Sequence, residues 1–174
     1  MNFKSIIISF VILNYTLFML SGCGYKPSSY YAKNEISGKV YVDLEMDIEN
    51  SQNSVLVKDA MNEMVLSRFN AQLTQNKEEA DTQVFVRLAS VSHSVMASDN
   101  EGYAKTYRAN VTISVMYQKR DQEKKNISVS NYYDYNVEAN SLVSDQQKQE
   151  AVKNAATKAL GDLFSKIAVN SFKE

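Results

Sequence analysis

Three sets of side chains in this sequence carry chemistry beyond packing: the single cysteine, Cys23, the single histidine, His93, and several runs of charge. Cys23 closes the tetrad Leu20-Ser21-Gly22-Cys23 behind the apolar stretch Ile6–Leu20. A thiol there is either a site of covalent modification or an ordinary buried thiol. His93 stands between Ser92 and Ser94. Neighbours on a strand point to opposite faces, so this pairing makes no proton relay. Asp43, Glu45 and Asp47 recur at alternate positions and have the oxygen ligands a hard cation needs. Charges on the wet side of an edge strand explain them better, so no metal site is expected. Lys119-Arg120 and Lys124-Lys125 flank one loop, with Lys105 and Arg108 earlier in the chain. Such groups pair with phosphates, although Asp121 and Glu123 make the loop zwitterionic. There is no Gly-rich phosphate loop, Cys/His cluster or nucleophile elbow. Neither an enzyme nor a cofactor is expected.

The amino terminus dictates where these groups work. Lys4 precedes an apolar run of about fifteen residues, too short for a comfortable membrane span of roughly twenty and suited to a signal-peptide core. A lone cysteine in an exported chain cannot form an internal disulfide. The tetrad resembles the bacterial lipobox, which implies cleavage before Cys23 and lipid attachment to its sulfur. Residues 1–22 are thus expected to be a lipoprotein signal peptide, 23–38 a lipidated tether without a clean period, and 39–174 one folded domain.

The domain must be built from elements with a single apolar side. Val40, Val42, Leu44, Met46 and Ile48 alternate with Lys39, Tyr41, Asp43, Glu45 and Asp47, a half-buried strand. Asn50–Ser54 supplies helix-capping types. Val57, Met61, Val65, Phe69 and Leu73 then recur every fourth residue, predicting a helix over about 54–75. Val84, Val86 and Leu88 alternate again; the pattern blurs over Ser90–Val95, where a bulge is expected. Ser98–Gly102 is a turn. Tyr107, Ala109, Val111, Ile113, Val115 and Tyr117 form one side of a long strand. Ile127, Val129, Tyr133, Tyr135, Val137 and Ala139 form one side of another, opposite Ser128, Ser130, Asp134, Asn136 and Glu138. Ser144 and Gln147 fit a capping box, opening a helix whose apolar stripe runs from Val152 to Ile167.

The predicted order is β-α-β-β-β-α. The expected fold is α+β, one mixed four-stranded sheet with both helices packed on one face and the other face polar. A strand–helix–strand unit makes the first strand parallel to its partner, and the last three strands form an antiparallel meander. A formal net charge of −1 lacks the basic surplus of a nucleic-acid binder. Eleven Tyr and seven Phe with five Gly and one Pro suit a sheet-rich body without long linkers.

Cys23-Gly24-Tyr25, followed by this element order, resembles the LptE-type lipopolysaccharide-assembly lipoproteins. The resemblance runs over Ala80–Ala168. It takes in the Arg87-Leu88 strand, the Tyr103–Tyr117 strand, Ser130-Asn131-Tyr132-Tyr133-Asp134 and the Gln147–Ile167 helix with its Ala155, Ala156, Ala159 and Leu160 core. It implies a non-enzymatic protein that plugs and helps assemble the LptD-type outer-membrane β-barrel. It also implies contact with lipopolysaccharide or lipooligosaccharide. Gly24 after the cysteine, by the same resemblance, points to the outer membrane, with the domain on the periplasmic side. Family members use basic loop residues toward lipopolysaccharide; here the loop before the last helix reads Leu142-Val143-Ser144, and Ser98–Gly102 holds no arginine. The candidate lipopolysaccharide or partner contacts, read from their charge alone, are Lys105, Arg108, Lys119, Arg120, Lys124 and Lys125. An auxiliary lipoprotein subunit of an envelope ABC-type lipid transporter is the alternative.

Overall fold

A computed structural model describes residues 27–45, 51–100, 102–137 and 143–171. Cys23 and the apolar run before it lie outside the described residues, as do Met46, Asp47, Ile48, Glu138, Ala139 and Leu142. In chain order the elements are α1 (Ser28–Glu35), β1 (Lys39–Glu45), α2 (Ser51–Ser67), β2 (Gln72–Leu73), β3 (Thr82–Ser98), β4 (Ala104–Lys119), β5 (Lys125–Asn136) and α3 (Asp145–Ser171). The strands form one mixed sheet in the order β2-β1-β3-β4-β5. β1 runs parallel to β2 and β3, and β3, β4 and β5 are mutually antiparallel. The α+β class, the parallel β1–β3 pair and the meander are as expected, but the sheet has five strands rather than four and there are three helices rather than two.

The alternating positions fill the core. Val40 and Val42, then Val84, Val86 and Leu88, then Val111, Ile113, Val115 and Tyr117, then Ile127 and Val129 are all buried. Across from them lie Val57, Met61 and Val65 of α2 and Val152, Ala155, Ala156, Ala159, Leu160, Leu163 and Ile167 of α3, in the same apolar cluster. Both long helices therefore cover one face of the sheet. The alanine run in α3 lets that helix approach closely. The capping box forms as expected: Gln147 N–H donates to Ser144 Oγ at 3.1 Å, and Ser144 N–H donates to Gln147 Oε1 at 3.0 Å.

Four departures have physical causes. The third helix, α1, falls in the stretch expected to be a tether. Among its described side chains only Ala32 is buried, and Ile36 just beyond it is buried too, so no periodic stripe announces it. The second helix ends at Ser67 rather than near residue 75, because Asn70 adopts φ 55° and Ala71 N–H reaches back to the Val65 carbonyl. Asn tolerates this left-handed conformation better than most residues. Phe69 stays buried past the helix end, its ring edge-on to Phe164 at 5.0 Å, while Leu73 becomes part of β2. That extra strand flanks β1 at Lys39 and Val40.

The fourth departure is the length of β3, which continues unbroken to Ser98. Its register to β4 slips between Leu88 and Ser90 and again near Ala97, which places bulges on either side of the Ser90–Val95 stretch where one is expected. β3 and β4 thus extend as a ribbon well past the helix layer.

Gly38 joins α1 to β1 at φ 73°, and a Cβ there would collide with the Asp81 side chain. That carboxylate accepts the Lys39 N–H at 2.9 Å. Gly38→Ala is expected to cost about 1–2 kcal/mol from the left-handed backbone alone, with the collision adding to it. Urea unfolding of the variant measures this; an unchanged midpoint would contradict the assignment.

Candidate functional site

The uncovered face of the sheet is built from every second residue of β3, β4 and β5. It presents Ser90, Ser92 and Ser94, then Arg108, Asn110, Thr112 and Ser114, then Ser128, Ser130, Tyr132, Asp134 and Asn136, all exposed or half-buried. The short polar side chains pair across strands. Thr112 and Ser130 share a hydroxyl hydrogen bond at 2.9 Å, and Thr106 Oγ1 donates to Asn136 Oδ1 at 3.0 Å. Such cross-strand pairs hold the register while leaving a flat, hydrated surface.

One clamp carries the charge on this face. Arg108 donates through Nε and NH2 to the two Asp134 oxygens at 2.6 and 2.8 Å, and its guanidinium lies 3.8 Å over the Tyr132 ring. These hydrogen bonds hold the Asp134 carboxyl below its ordinary range and push Arg108 above its own. The planar fork suits both carboxylate and ring.

The opposite, inward side of the same ribbon holds a small aromatic cluster. Tyr135, Ala109 and Ala151 pack with Tyr107, Tyr133 and Val143. Tyr107 and Tyr135 stack at 5.7 Å, and the Tyr135 hydroxyl meets His93 Nδ1 at 3.1 Å. His93 thus lies within a continuous strand, exposed on the inner side of the ribbon, and its partner is a tyrosine from two strands away. Desolvation, then Lys148 nearby, lowers its pKa from 6.5. Desolvation, then Tyr107, raises that of Tyr135.

The six basic residues singled out in the sequence do not converge. Lys105 and Arg108 sit at one end of β4, Lys119, Arg120, Lys124 and Lys125 at the other. Eleven residues of strand separate Arg108 from Lys119, roughly 35 Å at about 3.3 Å per residue. Most of these cations have internal partners. Lys119 Nζ donates to the Asn34 carbonyl at 3.0 Å and Lys125 Nζ to Glu35 at 3.2 Å, pinning α1 to the β4–β5 turn. Arg120 donates to the Ala80 carbonyl at 3.0 Å and lies 3.6 Å from Asp81. Lys105 is 4.0 Å from Asp99, and Lys124 is exposed. A depression of about 240 Å³ near Arg120 mixes Lys77 and Lys119 with Glu78, Asp81 and Asp121, so it has no single sign.

Sequence reasoning also missed an apolar end to the ribbon, where Val95, Met96 and Tyr103 are exposed. Only the alternation past Leu88 hinted at it. Glu45 approaches Arg87 at 4.0 Å, and the Asp43 carboxylate accepts the Leu44 N–H at 2.9 Å. Among the described residues no group of three or more His, Cys, Asp or Glu side chains is arranged to hold a metal. No described helix is long and apolar enough to cross a membrane.

Because the folded pKa of His93 lies below its unfolded value, the unfolded chain binds more protons as pH falls. Stability is therefore expected to decline as pH drops through 6.5 toward the folded pKa. His93→Gln should flatten that decline in thermal melts between pH 7.5 and 5. An equal decline in both proteins would contradict the role given to His93.

Comparison with known proteins agrees with this architecture. The family model described as LptE, lipopolysaccharide-assembly, matches residues 41–167. No curated protein sequence matches the chain. The crystal structure of rare lipoprotein B from Shewanella oneidensis is similar at TM-score 0.51 and 12% identity, covering 78% of this chain and 97% of that one. The solution structure of lipoprotein B from Nitrosomonas europaea is similar at TM-score 0.50 and 9% identity, covering 85% and 92%. At these identities the likeness shows the fold alone. The family match spans most of the chain, from β1 into the last turns of α3, and on it the chain belongs to the LptE lipopolysaccharide-assembly family.

Proposed function

We propose that this chain is a lipid-anchored outer-membrane lipoprotein, facing the periplasm, that plugs and helps assemble an LptD-type β-barrel through which lipopolysaccharide or lipooligosaccharide reaches the cell surface. The observation that carries the reading is the family match over residues 41–167. The two-sided sheet supports it. Large barrels have polar, hydrated interiors, and a face of serine, threonine and asparagine enters such a lumen without stranding apolar surface. The helix layer keeps the greasy side of the sheet inside the protein.

Anchoring falls to Cys23, with its sulfur acylated after removal of residues 1–22. A single acyl chain binds membrane only marginally, so the anchor needs further chains, the barrel, or both. Contact with lipopolysaccharide phosphate is assigned first to Lys124, which is exposed at the β4–β5 turn. Lys105, Arg108, Lys119, Arg120 and Lys125 contribute only by loosening the internal contacts they now make. The proposed role is structural and non-catalytic, with no cofactor.

Affinity isolation of the full chain from detergent-solubilised envelopes tests the reading. Co-purification of a large β-barrel, with Cys23 acylated in the mature protein by mass spectrometry, is expected. Depletion of the chain should lower surface lipopolysaccharide or lipooligosaccharide. Recovery of an inner-membrane permease complex instead would favour the ABC-type lipid transporter subunit and overturn the proposal.

A further inference from the structure

Two connections meet at the end of the sheet opposite the ribbon tip. The Arg120 N–H donates to the Asp81 carbonyl at 2.8 Å, joining the β4–β5 turn to the segment that leads into β3. Between them lies the depression of about 240 Å³. Its charged lining is Lys77, Lys119 and Arg120 against Glu78, Asp81 and Asp121.

Part of that charge is spent inside the protein. Lys119 is bound to the Asn34 carbonyl, and Arg120 lies 3.6 Å from Asp81. Lys77, Glu78 and Asp121 are exposed, and among the described residues none of them has an ion-pair partner. Lys77 Nζ rests 5.3 Å over the Phe85 ring instead of on a carboxylate. Unspent charge of both signs therefore faces one hollow.

Such a lining selects its ligand. A lone anion would meet Glu78 and Asp121, and a lone cation would meet Lys77 and Arg120. A zwitterion satisfies both sets. The guanidinium fork and the lysine ammonium suit a phosphate. The carboxylates accept N–H donors, which a primary ammonium supplies. A quaternary ammonium has no such donors and is held by aromatic cages; among the described residues no aromatic side chain lines the depression. At a water's share of about 30 Å³, the space takes about eight non-hydrogen atoms, the size of a phosphoethanolamine group.

The same end of the sheet receives the amino-terminal segment. Lys119 and Lys125 hold the last turn of α1 there. From Asn34 back to Pro27 is about 10 Å of helix, and from Pro27 back to Cys23 is at most about 14 Å of extended chain. The ribbon tip at Ser98 is roughly 50 Å away along β3. A lipid on Cys23 thus leaves the depression, rather than the tip, near its anchor point.

We propose that the depression between residues 77–81 and 118–121 binds the phosphoethanolamine headgroup of a membrane phospholipid. Lys77 and Arg120 take the phosphate, and Glu78 and Asp121 take the ammonium. The zwitterionic chemistry stands on these side chains alone; the membrane as its source rests on the reading of Cys23 as the lipid anchor.

Titration of the isotope-labelled full chain in detergent with glycerophosphoethanolamine, followed through its amide resonances, tests the site. Saturable shifts confined to residues 77–83 and 118–121 are expected. Glycerophosphocholine and inorganic phosphate should each bind about threefold more weakly or worse, as the loss of exposed charge pairs implies. A Glu78→Gln, Asp121→Asn variant should lose the preference over phosphate; Asn tolerates the φ of 63° at position 121, and unchanged resonances elsewhere verify its fold. In lipid nanodiscs the same amides should shift when phosphatidylethanolamine replaces part of the phosphatidylcholine. Equal binding of phosphate or of the choline headgroup, shifts elsewhere on the surface, or an unaffected double variant would overturn the proposal. So would an acylated chain that answers the soluble headgroup but not phosphatidylethanolamine in nanodiscs. Mass spectrometry of the same preparation reports Cys23 separately: a chain without acyl groups would contradict the anchor reading and with it the membrane source, while the detergent titration still decides the zwitterion site.

Discussion

The slip in register at Ala89 is the constraint on which the outer half of this protein depends. A strand as long as β3 turns alternate residues to one face. Before the slip, those on the inner side of the sheet are Val84, Val86 and Leu88; after it they are Val91, His93 and Val95, opposite Val111, Ala109 and Tyr107. Without the extra residue the phase would invert. Ser90, Ser92 and Ser94 would then lie on the side of Tyr107 and Tyr135, and Val91 and His93 on the polar face. The bulge at Ala89 therefore sets up two features together: the His93–Tyr135 contact and the serine row on the uncovered face.

The helix layer explains why the two halves of the sheet differ. α2 and α3 cover the sheet where β1, β3, β4 and β5 bring their valines and isoleucines together. Beyond that layer the ribbon has only the start of α3 over it, and its small cluster is aromatic rather than aliphatic. Tyrosines suit this position, with ring faces packed and hydroxyls at the wet margin. The clamp of Arg108, Asp134 and Tyr132 ties β4 to β5 from the other side at the same level.

Much of this was legible in the residues. Strict alternation over Tyr107–Tyr117 and Ile127–Val137 identified β4, β5 and their inward faces, and Ser144 with Gln147 fixed the start of α3. The misses share a cause: the signal was too short or continued too far. α1 contributes one buried alanine, so periodicity cannot see it. The fourfold spacing of α2 runs on through Phe69 and Leu73, and only the left-handed Asn70 stops the helix. The basic residues were legible as charges but not as contacts. Nothing local says that Lys119 and Lys125 reach α1, because those partners are distant in sequence. The match to the LptE family over residues 41–167 bears out the resemblance read from the sequence.

The uncovered face of the sheet, rather than the helix layer, is proposed to meet the partner. Site-specific photocrosslinking in intact envelopes tests it most directly, with one probe at Ser130 or Asn110 on the sheet face and another at Lys153 or Lys158 on α3. The account predicts adducts with a β-barrel protein from the sheet positions and none from the helix positions. Adducts from α3 alone would contradict it.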